Sequence, residues 1–560
     1  MKALVILLGA AGVALVAVLI FWAPATGGGK QRLVDVNLAA VDTQEAQRLI
    51  VREAQAHDAE QQRANAQGAT RDNSAVSPAP RAEVGSPELV PNEHILSFFN
   101  ASDKAAFMRL ARERGVDILG DMRLGHSVRI RVTDAKQYRD LLEDSPHPVA
   151  SAENSYVRIP ADPSSEPRTS DGRYVGFSDR LLEWLGAEGD MSQWGKGVTV
   201  AVLDTAVGKH DAIPEANIRR VNPLGLERVD GDTHGTSVAS LIVGQGDGVS
   251  GLAPAAKVLS IPVISSGDTG DAYSLAQGIT EAVTLGADII NLSLGSDTDN
   301  FIVREAIQYA RDNGVAVVAA VGNGAVDAVT FPARMDGVLA VGGVDAAGRH
   351  LYFSNTGSEV DIVAPGLALN AAGPDNTTIT FSGTSAATPI VSGAIAAVMS
   401  LSPGLTADQA AQLLVSYGDD NGAPGSDSAY GGGILNMGRL MERDEPNIYD
   451  VSAGGPFIID PQDGSQDLIV EFYAQNRGTE SIGDLTMNVV IDGVPTTLHF
   501  SDIVVGQTVS EQVIVPAAAI PPDGRVVAAH EAVIEGERDA NPGDNGQRSV
   551  FTLNPVTEAP

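Results

Sequence analysis

The sequence predicts an α/β fold at its centre: a mostly parallel sheet flanked by helices, spanning about residues 174–442. Five near-continuous apolar runs carry that reading: Val198 to Asp204, Lys257 to Ile264, Asp288 to Gly295, Val315 to Asn323 and Val338 to Val344. Runs apolar at every position read as strands buried on both faces. They alternate with helical patterns at Gly235 to Val243, Ala272 to Leu285, Phe301 to Asn313 and Ala386 to Met399. Strand–helix alternation favours a parallel sheet covered on both sides, with functional groups at the carboxyl ends of its strands.

The chain is long enough for several folded units: 560 residues, 43% of them hydrophobic. A formal net charge of -34 argues against a nucleic-acid partner, because phosphates would be repelled. Without cysteine, disulfides, thiolate nucleophiles and cysteine-ligated zinc are excluded.

In chain order, residues 1–28 begin with Lys2 and an apolar run from Ala3 to Ala25. That run exceeds the about 7–15 residues of a signal-peptide core and is long enough to cross a bilayer as a helix. It is read as a membrane anchor, with a cleaved signal as the alternative. Either reading exports the chain to the periplasm, the cell exterior or the medium. Residues 29–92 read as an Ala/Gln/Glu/Arg-rich helical stalk followed by a Pro/Ser/Asn-rich linker. Residues 93–160 show the order β-α-β-β-α-β of a small ferredoxin-like module. The polar stretch from Ala161 to Arg173 reads as an exposed, cleavable connection. At the other end, residues 465–555 show short alternating strands between Gly, Asp and Pro turns, the pattern of a β-sandwich of about seven strands. Residues 450–464 read as a linker.

Candidate chemistry gathers at three points of the central unit. Ser385 stands in FSGTSAATPIVSGAIAAVM, a polar cluster at the first turn of a long apolar helix. There its hydroxyl is either a nucleophile near backbone N–H groups or a simple helix cap. Asp204 closes the first apolar strand, and His234 sits in the small-residue stretch GDTHGTSVAS. Taken singly, each is an ordinary turn or surface residue. Together they form a set: a hydroxyl needs a base to remove its proton, and an imidazole base needs a carboxylate to fix its tautomer. Asn323, at the end of VVAAVGN, adds an amide donor for a developing oxyanion.

These four segments, VAVLDTAV, DTHGTSVAS, AAVGN and FSGTSAATP, resemble the motifs of subtilisin-like serine proteases, the subtilase family. They occur in the family's order, with spacings of 30, 89 and 62 residues. The resemblance implies serine endopeptidase activity on protein or peptide substrates, with Asp204, His234 and Ser385 as the triad and Asn323 in the oxyanion hole. It implies that Ser293, Leu294 and Gly295 pair with substrate backbone and wall the P1 pocket, and that Val321 and Gly322 line its other side. The segment Asp268, Thr269, Gly270 would form a second pairing edge, so that specificity is broad. It implies that residues 93–160 are a propeptide that assists folding and inhibits the site. It implies no cofactor for the chemistry; structural calcium is common in the family, but the acidic loops at Asp247, Asp268 and Asp297 lack a diagnostic ligand spacing. Residues 465–555 resemble CARDB-type adhesion modules, with a structural or substrate-docking role. The family's usual Gly two residues after the triad Asp is here Ala206, and the usual Met after the nucleophile is Ala386. The rival reading from another class is an inert surface adhesion or scaffold protein.

Overall fold

The computed structural model describes residues 88–163, 174–226, 233–246, 248–265, 268–459, 467–521 and 524–552, and the backbone of 2–8 and 16–22. The chain separates into two compact units, Met1–Arg81 and Ala82–Pro560.

In the first unit the structure departs from the sequence expectation. Instead of one apolar helix, Lys2–Leu8 and Val16–Trp22 pair as an antiparallel hairpin, from Lys2↔Trp22 to Leu8↔Val16. Both segments contain Val and Ile, and the second adds Phe21 and Trp22, residues that favour strands, while Gly9 and Gly12 between them weaken a helix. The expected stalk at 41–65 and most of the expected linker lie outside the described residues.

The second unit is built around a seven-stranded sheet, all of whose pairings are parallel. Its spatial order is Ile362–Pro365, Val338–Val344, Ala316–Ala320, Ile289–Leu292, Thr199–Asp204, Lys257–Pro262 and Ile218–Arg220. The two apolar faces that the sequence implies are both covered. Helices His234–Val243 and Thr384–Leu401 fill one face, contributing Val238, Ile242, Ile390 and Ile395 to its core. Helices Ala272–Thr284 and Phe301–Asp312 fill the other with Leu275, Ile279, Ile302 and Ile307. Among the described residues, Thr384–Leu401 is the one helix long and apolar enough to cross a membrane, and it is mostly buried in this core.

Chain direction along the sheet reverses at Thr199–Asp204: the strands that directly follow it lie on one side, Ile289–Leu292 and its successors on the other. A reversal of this kind opens a crevice at the strand ends. Asp204 and Ser293 stand at that crevice, one closing its strand and the other following Leu292.

Residues 89–158 carry strands Leu89–Ser97, Asp117–Asp121, Ser127–Arg131 and Ala150–Arg158 with helices Ala101–Glu113 and Ala135–Asp144. Their antiparallel sheet gains a fifth strand from the central unit, because Thr269–Asp271 pairs with Tyr156–Arg158. The module also caps two helices of the central unit. Asp271 N-caps Ala272–Thr284 and accepts from Asn154 Nδ2 at 3.1 Å, while the Asn300 cap of Phe301–Asp312 donates to the Glu153 carbonyl at 3.1 Å. Ile95, Met122 and Val157 join the helix-side core, so the two modules share buried apolar area as well as backbone bonds.

From residue 451 the chain forms two packed antiparallel sheets around Phe472, Leu485, Met487 and Val526. Part of the expected linker at 450–464 is ordered differently: Val451–Ala453 and Phe457–Ile459 both pair with Leu468–Asn476. Val451 and Ala453 are buried, and that apolar area draws the segment into the sheet. The seam to the central unit is polar. Arg439 reaches across it to the carbonyls of Asn476 and Arg477, and Gln475 Nε2 donates back to Gly418 O at 3.1 Å.

Candidate active site

Asp204 is fully buried at the end of its strand, where its Oδ1 accepts from Thr205 N at 2.7 Å. Both its carboxylate oxygens lie against His234 Nδ1, at 2.8 and 2.9 Å. A carboxylate accepts only, so this contact places the Nδ1 proton toward Asp204 and leaves Nε2 as the basic nitrogen. The approach depends on Gly235: a Cβ there would fall 2.3 Å from the Thr205 carbonyl oxygen. Thr205 Oγ1 accepts from Gly235 N at 2.9 Å, tying the histidine helix to the aspartate strand. The Phe381 ring stands edge-on to the imidazole, with centroids 5.3 Å apart.

Ser385 is the second residue of its helix, and the cap is Gly383, whose φ of 125° lies in the region that favours glycine. The serine is therefore not serving as a side-chain cap. Its hydroxyl faces Ser293 O at 3.4 Å, near the open end of the sheet, and the residue is 2% exposed.

Asn323 has its amide orientation fixed by Thr384, whose backbone N–H and Oγ1 donate to Asn323 Oδ1 at 3.0 and 2.9 Å. With the oxygen engaged, Nδ2 is left to face outward, and it donates to the Ala161 carbonyl at 3.0 Å. Asn355 braces the loop, donating to Val321 O at 3.0 Å and accepting from Gly324 N at 2.8 Å. Neither Thr384 nor Asn355 is visible as functional in the sequence, because each acts through another side chain and carries no spacing signal of its own.

The segment leading out of the N-terminal module threads this crevice. Arg158 and Gly295 exchange both backbone bonds at 2.8 Å, and Ile159 N donates to Asp268 O at 3.0 Å. Gly270 pairs with Val157 on the other edge, and a Cβ there would meet Val263 O at 2.3 Å. Pro160 has no N–H, so the ladder ends before Ala161. Beside the segment lies a cavity of about 320 Å³ lined by Ala161, Gly295, Gly322, Asn323 and Thr330.

Of the residues expected to contact substrate, Gly270, Gly295 and Gly322 border this groove, and Ser293 is fully buried with its carbonyl facing the Ser385 hydroxyl. Leu294 and Val321 are fully buried, in an apolar cluster that also takes in Val157 of the threaded segment. Ala206 is not among the residues with positive φ, so the methyl group in place of glycine meets no backbone strain. Ala386 is fully buried in the nucleophile helix. Among the described residues no group of three or more His, Asp or Glu is arranged to hold a metal, and Asp247 lies outside them.

Residues 195–433 match the sequence profile of the "Subtilase family". The "Thermostable alkaline protease" of Halalkalibacterium halodurans is 36% identical over 251 residues, which is 44% of this chain and 69% of that protein. "Subtilisin Savinase" of Lederbergia lenta is 37% identical over 247 residues, covering 43% of this chain and 90% of that protein. Among solved structures, the "Patellamide maturation protease PatA" is 36% identical, covering 44% of this chain and 97% of that one, with a TM-score of 0.40. The matched span holds every residue of the crevice except those of the threaded segment. Its sequence and its switch-point geometry give one answer: this chain belongs to the subtilase family, with a subtilisin-like α/β domain at its centre.

Proposed function

We propose that the chain is a serine endopeptidase of broad specificity that matures by cutting its own Ala161–Asp162 bond. Ser385 Oγ adds to the scissile carbonyl carbon while its proton passes to His234 Nε2. Asp204 holds the imidazolium, and Asn323 Nδ2 stabilises the oxyanion. The tetrahedral intermediate collapses by breaking the C–N bond. His234 returns the proton to the leaving amine, giving an acyl-enzyme that water hydrolyses by the same transfers.

The observation that carries this reading is the Asn323 contact. The carbonyl of Ala161 accepts from Asn323 Nδ2, the donor assigned to the oxyanion, on a segment held as an extended strand by Gly295 and Gly270, which supports Ala161–Asp162 as the scissile bond. Recognition by backbone pairing reads chain shape rather than side-chain identity, which supports broad specificity. Residues 89–158 would then act as an inhibitory propeptide until they are released. The chemistry assigned to these side chains calls on no cofactor. Export rests on the apolar run Ala3 to Ala25 alone, and fractionation of cells expressing the full chain would test it.

The enzymatic reading is tested with a fluorophosphonate probe and N-terminal sequencing. Label on the mature protein that vanishes in Ser385→Ala, with a mature chain starting at Asp162, is the expected result. An unlabelled mature protein would favour an inert scaffold, and a start at another residue would remove the assignment of the scissile bond.

A further inference from the structure

A line of polar side chains crosses the largely apolar core between the nucleophile helix and the sheet. Ser392 Oγ donates to Asn291 Oδ1 at 2.9 Å. Asn291 Nδ2 donates to Ser293 Oγ at 3.1 Å, and Ser293 Oγ donates to the backbone carbonyl of Ser385 at 3.0 Å. Asn291, Ser293 and Ser392 are fully buried. The line crosses from the third turn of the helix to the strand Ile289–Leu292 and returns to the nucleophile residue itself.

Its last link exists because of Pro389. In an unbroken helix the Ser385 carbonyl would accept from the N–H four residues on, and that residue is Pro389, which has none. The freed carbonyl is buried and needs a donor, and Ser293 Oγ supplies it. Each member has its hydrogen bonds satisfied from within the line. The orientation of Asn291 is set at both ends, since its oxygen must face the Ser392 hydroxyl for its nitrogen to face Ser293.

Three apolar side chains would fill this volume without the cost of burying polar groups. The ends of the line show what the polar version does. One end is the nucleophile residue. Next to it stands Ser293, whose own carbonyl faces the Ser385 hydroxyl at 3.4 Å and which lies two residues before Gly295, the position that pairs with Arg158. We infer that Asn291 and Ser392 are positioning residues that fix the nucleophile of Ser385 against the peptide-pairing strand Ser293–Gly295. They touch neither the substrate nor the reacting atoms. The inference rests on the endopeptidase reading, because it concerns the reach of that nucleophile.

The test uses the full chain, kcat and KM on a peptide substrate, and thermal midpoints measured with Ser385→Ala added to prevent self-digestion. In Ser392→Ala the Asn291 oxygen loses its donor, and kcat should fall about tenfold with KM unchanged, the response to a misplaced reacting group. Ser392→Thr keeps the hydroxyl and should keep kcat. The deciding variant is Asn291→Leu with Ser392→Ala, which replaces both polar partners by apolar groups and should restore the thermal midpoint. If the line positions the nucleophile, kcat stays low in that variant although stability returns. If the line is only structural, kcat returns with stability, and the inference is overturned. It is overturned equally if Ser392→Ala matches the parent. A parent without peptide turnover would overturn the endopeptidase reading first, and the positioning role with it.

Discussion

Replacement of Arg439 by methionine should loosen the C-terminal sandwich from the catalytic domain. The guanidinium is buried at 7% exposure and lies 5.5 Å over the Tyr417 ring. It donates to Gly418 O at 2.8 Å on the catalytic side, and to Arg477 O at 3.2 Å and Asn476 O at 3.3 Å on the sandwich side. Asp419 stands 3.8 Å away, and its Oδ1 has no hydrogen bond. Methionine fills most of the volume but donates nothing, so the carbonyls of Asn476 and Arg477 lose the Arg439 donor, Gly418 O keeps only Gln475, and Asp419 loses one of its two arginines. Removing one member of such a buried charged cluster costs about 3–5 kcal/mol. Burial also disfavours the charge on Arg439 itself, which places the expectation at the lower end of that range. For a domain of this size, about 3 kcal/mol lowers the melting midpoint by roughly 6–12 °C. The measurement is a calorimetric melt of full-length Ser385→Ala with and without Arg439→Met, followed by limited proteolysis of residues 443–450. A midpoint lowered by less than about 2 °C would show that the polar seam does not hold the modules together, against the hydrogen-bond reasoning used here.

Three further outcomes follow from the geometry. Burial, with the charges of Asp544 and Asp539 adding to it, raises the Asp450 carboxyl to about 7. The folded chain therefore keeps a proton that the unfolded chain releases near pH 4; stability from this group is present at low pH and is lost as pH rises toward 7. In Asp450→Asn the melting midpoint should be higher than the parent's at pH 8 and flatter between pH 4 and 8, and an unchanged slope would refute it. Burial likewise raises the carboxyl of Glu305, whose Oε2 has no partner and lies where a Cβ on Gly125 would fall. Docking of the N-terminal module should thus weaken as pH rises, and Glu305→Gln should slow its release at neutral pH, read as the lifetime of the cleaved but inhibited complex on gel filtration. Gly235→Ala would force the histidine helix off the Thr205 carbonyl, and probe labelling should drop by at least about a hundredfold, the effect of a displacement near 1 Å; labelling within about threefold of the parent would show that the helix absorbs the methyl group.

The sequence by itself determined the family and the central fold. Strands buried on both faces must be apolar throughout, so Thr199–Asp204 and its neighbours announce themselves locally. Asp204, His234, Asn323 and Ser385 stand in short segments whose small residues are dictated by close approach, as Gly235 and Gly383 show. Tertiary structure decided which side chains of those segments face the groove. In runs apolar at every position the two-residue period is invisible, so the full burial of Leu294 and Val321 follows only from packing. The same holds for contacts between residues far apart in the chain. Ser392 meets Asn291 across 101 positions and Asn323 meets Ala161 across 162, and neither pairing leaves a local trace, because each is set by how a helix or a strand docks on the sheet. The apolar N-terminal run shows the converse limit. Its composition suits a helix in lipid and a hairpin equally, and only the pairing of Lys2–Leu8 with Val16–Trp22 distinguishes them, since backbone hydrogen bonds and not hydropathy define the element.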